Sequence, residues 1–156
     1  MHAVPLAWHY TILPVYKLIV DSGVLRPADC RIELGERPIL WFSTNPFWEQ
    51  TANKMLFDSA TGKETKLSMV ETAQKAGGLV RFAVPVQRLV RWPRLGQLAN
   101  IKSKTRKILE EAGIRMGADY RQWYGTLESI PTRDCLAIES MDLNNWQWID
   151  DVNHPS

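Results

Sequence analysis

A single α+β domain covering residues 1–156, with a mixed, mostly antiparallel sheet and short helices, is the fold class this sequence predicts. Three observations carry it. Apolar stretches of strand length recur at residues 6–11, 38–43, 79–85 and 135–141. Helical spacing is confined to a few short windows, so strand outweighs helix. The late strands are joined by turns too short for the crossover that parallel pairing requires.

The elements follow in order. Residues 6–11 read as a strand. Leu13-Pro14 opens a helix, where proline is tolerated in the first turn, with Val15, Leu18 and Ile19 on its apolar face. Gly23 suits the left-handed position that ends it. Residues 31–34 read as a short strand, and Gly35 with Pro38 marks a turn. The continuous apolar run 38–43 reads as a buried central strand. Residues 47–54 form a loop or one helical turn, and the polar stretch 58–66 an exposed loop. A short helix over 67–76 ends at Gly77-Gly78, and 79–85 is a strand. Residues 86–92 are an edge strand or a turn, and 93–96 a break. Ser103 caps a helix that runs to Ala112 and closes at Gly113. After a short turn at 120–123 come strands over 123–130, 135–141 and 146–149. Asn144-Asn145 provides the last hairpin turn, because asparagine tolerates positive φ.

Composition narrows the function classes. Apolar residues make up 45% and charged residues 23% of the chain, as in ordinary folded domains. The formal net charge of +2 neither demands nor forbids a nucleic-acid partner. No apolar run approaches the roughly 20 residues that span a bilayer. The start of the chain lacks the pattern of a secretory signal, so no membrane partner and a cytoplasmic setting are expected. Cys30 and Cys135 are expected as free thiols in a reducing compartment, and no Cys or His pair has metal-ligand spacing. Seven tryptophans are spread along the chain. They fill a core, or some line a cleft for a flat stacking ligand.

The candidate site residues lie mostly in the first third. His9 and Thr11 alternate with Tyr10 on the first strand, so both are placed to contact a ligand across its end. On the strand 38–43, Trp41 and Ser43 share one face and Leu40 and Phe42 the other. Trp41 and Ser43 are candidates to face the same cleft as His9. No G-x-S-x-G surrounds Ser43, which argues against a hydrolase nucleophile. Glu139 stands alone among apolar neighbours, where a carboxylate can stabilise positive charge on an anomeric carbon. Glu128 and Glu49 compete with it. Neither a P-loop nor a Rossmann fingerprint is present. The basic residues from Arg81 to Lys107, with Trp92 among them, form a solvated surface or a patch that tracks phosphates.

His9-Tyr10-Thr11, the helix end at Ile19-Val20-Asp21-Ser22-Gly23-Val24-Leu25, and Leu40-Trp41-Phe42-Ser43 together resemble the first third of ADP-ribosyltransferase-like proteins, the NAD-dependent toxin-type family. The resemblance covers roughly the first 50 residues and implies a split sheet, NAD as cofactor, and transfer of ADP-ribose to a nucleic-acid or protein acceptor. It implies that His9 contacts the ribose and the nicotinamide amide, with Tyr10, Thr11 and Ser43 helping to position NAD. Trp41, Phe42 or Trp48 would stack on the nicotinamide, and Glu139 would be the late glutamate central to transfer, with His9 beside it. The chain departs from the pattern in offering tryptophan and phenylalanine where a tyrosine is usual. Ala137 and Thr126 stand two before Glu139 and Glu128, so there is no Gln-x-Glu or Glu-x-Glu pair, which argues against a protein-arginine target. The alternative is a non-enzymatic, basic, Trp-rich module that binds nucleic acid or protein.

Overall fold

The computed structural model describes residues 4–29 and 32–150. Strand β1 (Leu6–Ile12) runs directly into helix α1 (Leu13–Ser22). Pro14 sits in the first turn, and Gly23 at φ 75° ends the helix with its N–H on the Ile19 carbonyl. Short β2 (Val24–Leu25) and central β3 (Leu40–Ser43) follow, then a hairpin of β4 (Met55–Asp58) and β5 (Lys63–Lys66). Helix α2 (Met69–Ala76) starts in a reciprocal cap: the Ser68 hydroxyl accepts from the Glu71 N–H, and the Glu71 carboxylate from the Ser68 N–H. Then come β6 (Leu79–Pro85), β7 (Val90–Arg91), α3 (Arg94–Leu98) and α4 (Ser103–Arg115). Strands β8 (Trp123–Thr126), β9 (Ile130–Pro131), β10 (Ala137–Asp142) and β11 (Gln147–Asp150) complete the order.

The main sheet runs β11-β10-β6-β1-β3-β8-β7, and all its pairings are antiparallel. The expectation of an α+β fold with a mostly antiparallel sheet and few helices holds. β1 pairs with β6 along its whole length, from Leu6↔Pro85 to Ile12↔Leu79. Toward β3 it makes one pair only, Trp8↔Ser43. The pairs that would continue that ladder, His9 with Phe42 and Tyr10 with Trp41, are not formed. The sheet therefore opens between its two central strands.

Strand alternation sorts the side chains. Ala7, Leu40, Phe42, Val80, Phe82, Val84 and Ile138 form one core with Tyr16 and Ile19 of α1. The opposite face carries two clusters. Trp8, Tyr10, Leu79, Ala83 and Met141 pack with Trp48 and with Ala73 of α2. Ile39, Trp92 and Trp123 pack with Leu95, Ala99 and Ile101, around α3. Gly125 is what lets β8 lie flat beneath α3. A Cβ there would stand 2.6 Å from the Leu40 carbonyl oxygen and 2.9 Å from Leu95 Cδ2. Gly125→Ala is expected to destabilise the fold by about 1–3 kcal/mol, as overpacking does. A shift in urea midpoint with unchanged slope would show it, and an unshifted midpoint would contradict it.

Several local expectations are corrected. Arg31 and Cys30 lie outside the described residues, and 32–34 form no strand. The stretch 58–66 is not a plain loop, because Asp58 pairs with Lys63 and the ladder reaches Met55↔Lys66. This hairpin is exposed along both strands, so no one-sided apolar pattern announces it. Residues 93–96 open α3 instead of breaking the chain. Helix α4 passes through Gly113 to Arg115, and Ser103 does not cap it; Lys102 is the cap residue, without a side-chain bond. Gly113 is inside the helix because the Trp123 ring lies against it, 2.6 Å from where a Cβ would be. The strand expected over 123–130 is two, β8 and β9, in different sheets. In the last hairpin the positive φ falls on Trp146 (52°), not on Asn144 or Asn145.

Candidate functional site

Where β1 and β3 part, a cavity of about 390 Å³ opens, within the roughly 300–1,000 Å³ usual for ligand pockets. Trp8, His9 and Tyr10 line it from β1, and Trp41, Phe42 and Ser43 from β3. Its far wall is Leu109, Ala112 and Gly113 of α4, Met116 just past its end, and Trp123 of β8, and Glu49, Thr51 and Ala52 close one end. Both strand faces contribute because the ladder is open here.

His9 bridges the gap. Its Nδ1 lies 2.7 Å from the Trp41 carbonyl oxygen, which can only accept, so Nδ1 carries the proton. The ring packs against Phe42 and Phe82, at centroid distances of 5.7 and 6.4 Å. Burial pushes the imidazole below its ordinary value of 6.5; the Trp41 bond opposes this, and the Lys54 charge adds to it. His9 is thus held neutral, with Nε2 as an acceptor. A depressed folded-state value means the unfolded chain binds the proton first. The His9 contribution to stability is therefore full above about pH 6.5 and is lost as pH falls through the folded-state value. His9→Gln is expected to flatten this acid limb in urea midpoints measured from pH 8 to pH 5. An identical limb in the variant would contradict the assignment.

Tyr10 faces the cavity from the other side of β1. Its hydroxyl donates to the Asn45 carbonyl and accepts from Arg81 Nη1 at 3.4 Å. Burial pushes the phenol up to about 12, against the hydrogen bond and charge of Arg81, so it stays a neutral donor. Ser43, 1% exposed, accepts from the Asn45 N–H at 3.1 Å. Trp41 is half-buried and packs on Trp92 at 5.6 Å and Trp123 at 6.0 Å.

Glu49 is the carboxylate of the cavity, with the residue only 8% exposed. Its Oε2 accepts from the Thr51 N–H (3.1 Å), the Thr51 hydroxyl (2.7 Å) and Trp123 Nε1 (3.3 Å). All three donors are neutral, and among the described residues no cation pairs with it. A buried anion with only neutral partners retains electrostatic demand for a cation.

The other expected site residues lie elsewhere. Glu139 does not line the cavity. Its Oε1 accepts from Arg81 Nε at 2.8 Å and Nη2 at 2.5 Å, across the β6–β10 pair Glu139↔Arg81. Thr11 is buried on the α1 side of the sheet, away from Trp41 and Ser43. Trp48 is 2% exposed, stacks edge-on against Tyr10 at 5.2 Å and donates from Nε1 to Asn53, so it backs the site without lining it. Glu128 lies on the exposed turn after β8. The α4 wall and Trp123 were not expected. Gly113 offered the one signal, a glycine at helical spacing, and it reads equally well as a helix end. Among the described residues no group of His, Cys, Asp and Glu could hold a metal ion, and no helix is long and apolar enough to cross a membrane. Comparison with protein-family models, curated proteins and solved structures finds no match for this chain.

Proposed function

We propose that this protein is an ADP-ribosyltransferase-like enzyme of the NAD-dependent toxin type, which binds the nicotinamide end of NAD in the cleft between β1 and β3 and transfers ADP-ribose to a macromolecular acceptor. The observation that carries the reading is the buried Glu49 carboxylate, without a cationic partner among the described residues, in a cavity walled by Trp41 and Trp123. The nicotinamide of NAD is a flat cation. Indole faces favour such a ring, and a desolvated carboxylate favours its charge. A split in the sheet, also implied by the family resemblance, supports the same reading.

Chemistry follows from the same groups. The bond from the nicotinamide nitrogen to ribose C1′ breaks, and its electron pair leaves with the neutral nicotinamide. Positive charge moves onto the sugar as an oxocarbenium ion. A nucleophile of the acceptor then bonds to C1′ and releases a proton. A fixed carboxylate beside the sugar stabilises the charge that develops there. Glu49 takes this role in place of Glu139, whose oxygen is committed to Arg81. His9, with its Nε2 lone pair, is the polar group of β1 placed to orient a ribose hydroxyl, because the Tyr10 hydroxyl is already engaged by Asn45 and Arg81.

Titration of purified protein with NAD, followed by tryptophan fluorescence and by nicotinamide release, tests the reading. Saturable quenching is expected from Trp41 and Trp123. No quenching at millimolar NAD would overturn it.

A further inference from the structure

A second cavity, of about 350 Å³, lies at the β7 edge of the sheet. Its lining is Arg91, Trp92, Pro93, Arg94, Tyr120 and Arg121. Local folding explains the gathering. Arg91 ends the edge strand, Pro93-Arg94 opens α3, and Tyr120 and Arg121 belong to the one-turn helix Tyr120–Gln122 that enters β8. The Trp92 N–H donates to the Trp123 carbonyl and holds these pieces together.

The charges here are not balanced. Arg121 is paired with Asp119 at 2.9 Å, and Glu110 accepts from Trp92 Nε1 at 2.7 Å. Arg91 and Arg94 are exposed and have no acidic partner among the described residues. Two unpaired guanidiniums thus flank a concave surface that also presents a half-buried tyrosine ring. Guanidinium forks suit phosphate oxygens, and an aromatic ring in the same lining suits an unpaired base.

We propose that this cavity binds single-stranded nucleic acid, with backbone phosphates on Arg91 and Arg94 and a base stacked on Tyr120. A duplex hides its base faces and the acidic side chains of a peptide carry no ring to stack, so both use only half of the site. The inference stands on this surface alone and holds whether or not the first cavity takes NAD. Trp92 and Trp123 stand 5.6 Å apart between the two cavities, so a bound strand lies one indole pair from the first.

Fluorescence anisotropy with labelled 12-residue oligo-dT and oligo-U tests it, without NAD and at several salt concentrations. R91Q/R94Q is expected to weaken binding at least about 10-fold and to reduce the salt slope by about 1.4, the share of two phosphates on a single strand. Y120A is expected to weaken it about 5-fold or more with the slope unchanged. Both oligomers bind if phosphate and base suffice, and a preference for oligo-U adds a 2′-hydroxyl contact to the same site. Equal loss in the remote pair K17Q/K63Q would overturn the proposal. So would unchanged binding in R91Q/R94Q, or competition by inorganic polyphosphate together with an inert Y120A, which would reduce the cavity to an unselective anion surface. Tighter binding of a phosphorylated acidic peptide than of either oligomer would overturn it in favour of a protein partner. All four side chains of the two double variants are exposed or partly exposed, and unchanged urea midpoints would show that the fold is intact.

Discussion

Glu49→Gln is expected to reduce nicotinamide release at saturating NAD by about 10²–10³-fold, the size of effect seen when one electrostatic group at a reacting centre is lost. NAD-induced tryptophan quenching is expected to persist but to need more NAD, a smaller effect, because the carboxylate also favours the nicotinamide charge while the indoles remain. The substitution keeps the shape and one acceptor oxygen, so the bonds from Thr51 and Trp123 persist and the cavity wall stays in place. Only the charge is removed. The aromatic surfaces of Trp41 and Trp123, which give the flat ring its purchase, are untouched. Glu139→Gln is the paired experiment. Glu139 is held by Arg81 outside the cavity, so its variant is expected to lose stability and to retain turnover per folded molecule. Release that survives Glu49→Gln and disappears in a folded Glu139→Gln would return the role to Glu139, where the family resemblance puts it.

Arg81→Met is expected to have the largest effect on stability, about 3–5 kcal/mol, because it strands a half-buried carboxylate and removes the centre of a stack. The Arg81 guanidinium carbon lies 3.5 Å from the Trp8 ring centroid and 4.6 Å from that of Trp148. Its nitrogens reach Glu139, the Tyr10 hydroxyl and the Pro46 carbonyl. Trp148 in turn donates from Nε1 to the Phe47 carbonyl at 2.7 Å. The group therefore ties the β10–β11 hairpin, the central sheet and residues 45–47 together. Replacing both charges, as in Arg81→Met with Glu139→Leu, is expected to recover part of the loss, since a buried pair returns little net energy over apolar partners of similar size. Denaturant titration of the two single variants and the double one measures the coupling. Additive losses would show that the pair does not act as a unit. Because Arg81 also donates to Tyr10, Arg81→Met is expected to alter the Tyr10 side of the cleft as well.

Legibility in the sequence differed from element to element. Residues 6–11 and 79–85 announced themselves because strands largely buried on both faces leave mainly apolar runs, interrupted here by His9, Thr11 and Arg81. Helix α1 was framed by Pro14 and Gly23, which act within a turn of their own position. The hairpin β4–β5 escaped because a ladder exposed on both faces needs no apolar alternation. Gly113 misled because a glycine inside a helix and one at its end look alike until the ring of Trp123 is known to press on it. His9, Tyr10, Trp41, Phe42 and Ser43 line one cavity, whereas Thr11 and Trp48, expected beside them, do not. Trp41 and Ser43 do not share a strand face with His9, however; they meet at the cavity because the strands part.

By itself the sequence determined the class of fold, the central strands and the aromatic character of the site, because these depend on local periodicity and on residue types. Which carboxylate enters the cleft was decided only by the tertiary structure. Glu139 sits opposite Arg81 by strand register, and a cation directly across a ladder holds it there. Glu49 reaches the cavity from a turn whose path is set by contacts with Trp123, 74 residues away along the chain. Register and long-range packing are relations between segments, and no pattern within either segment encodes them.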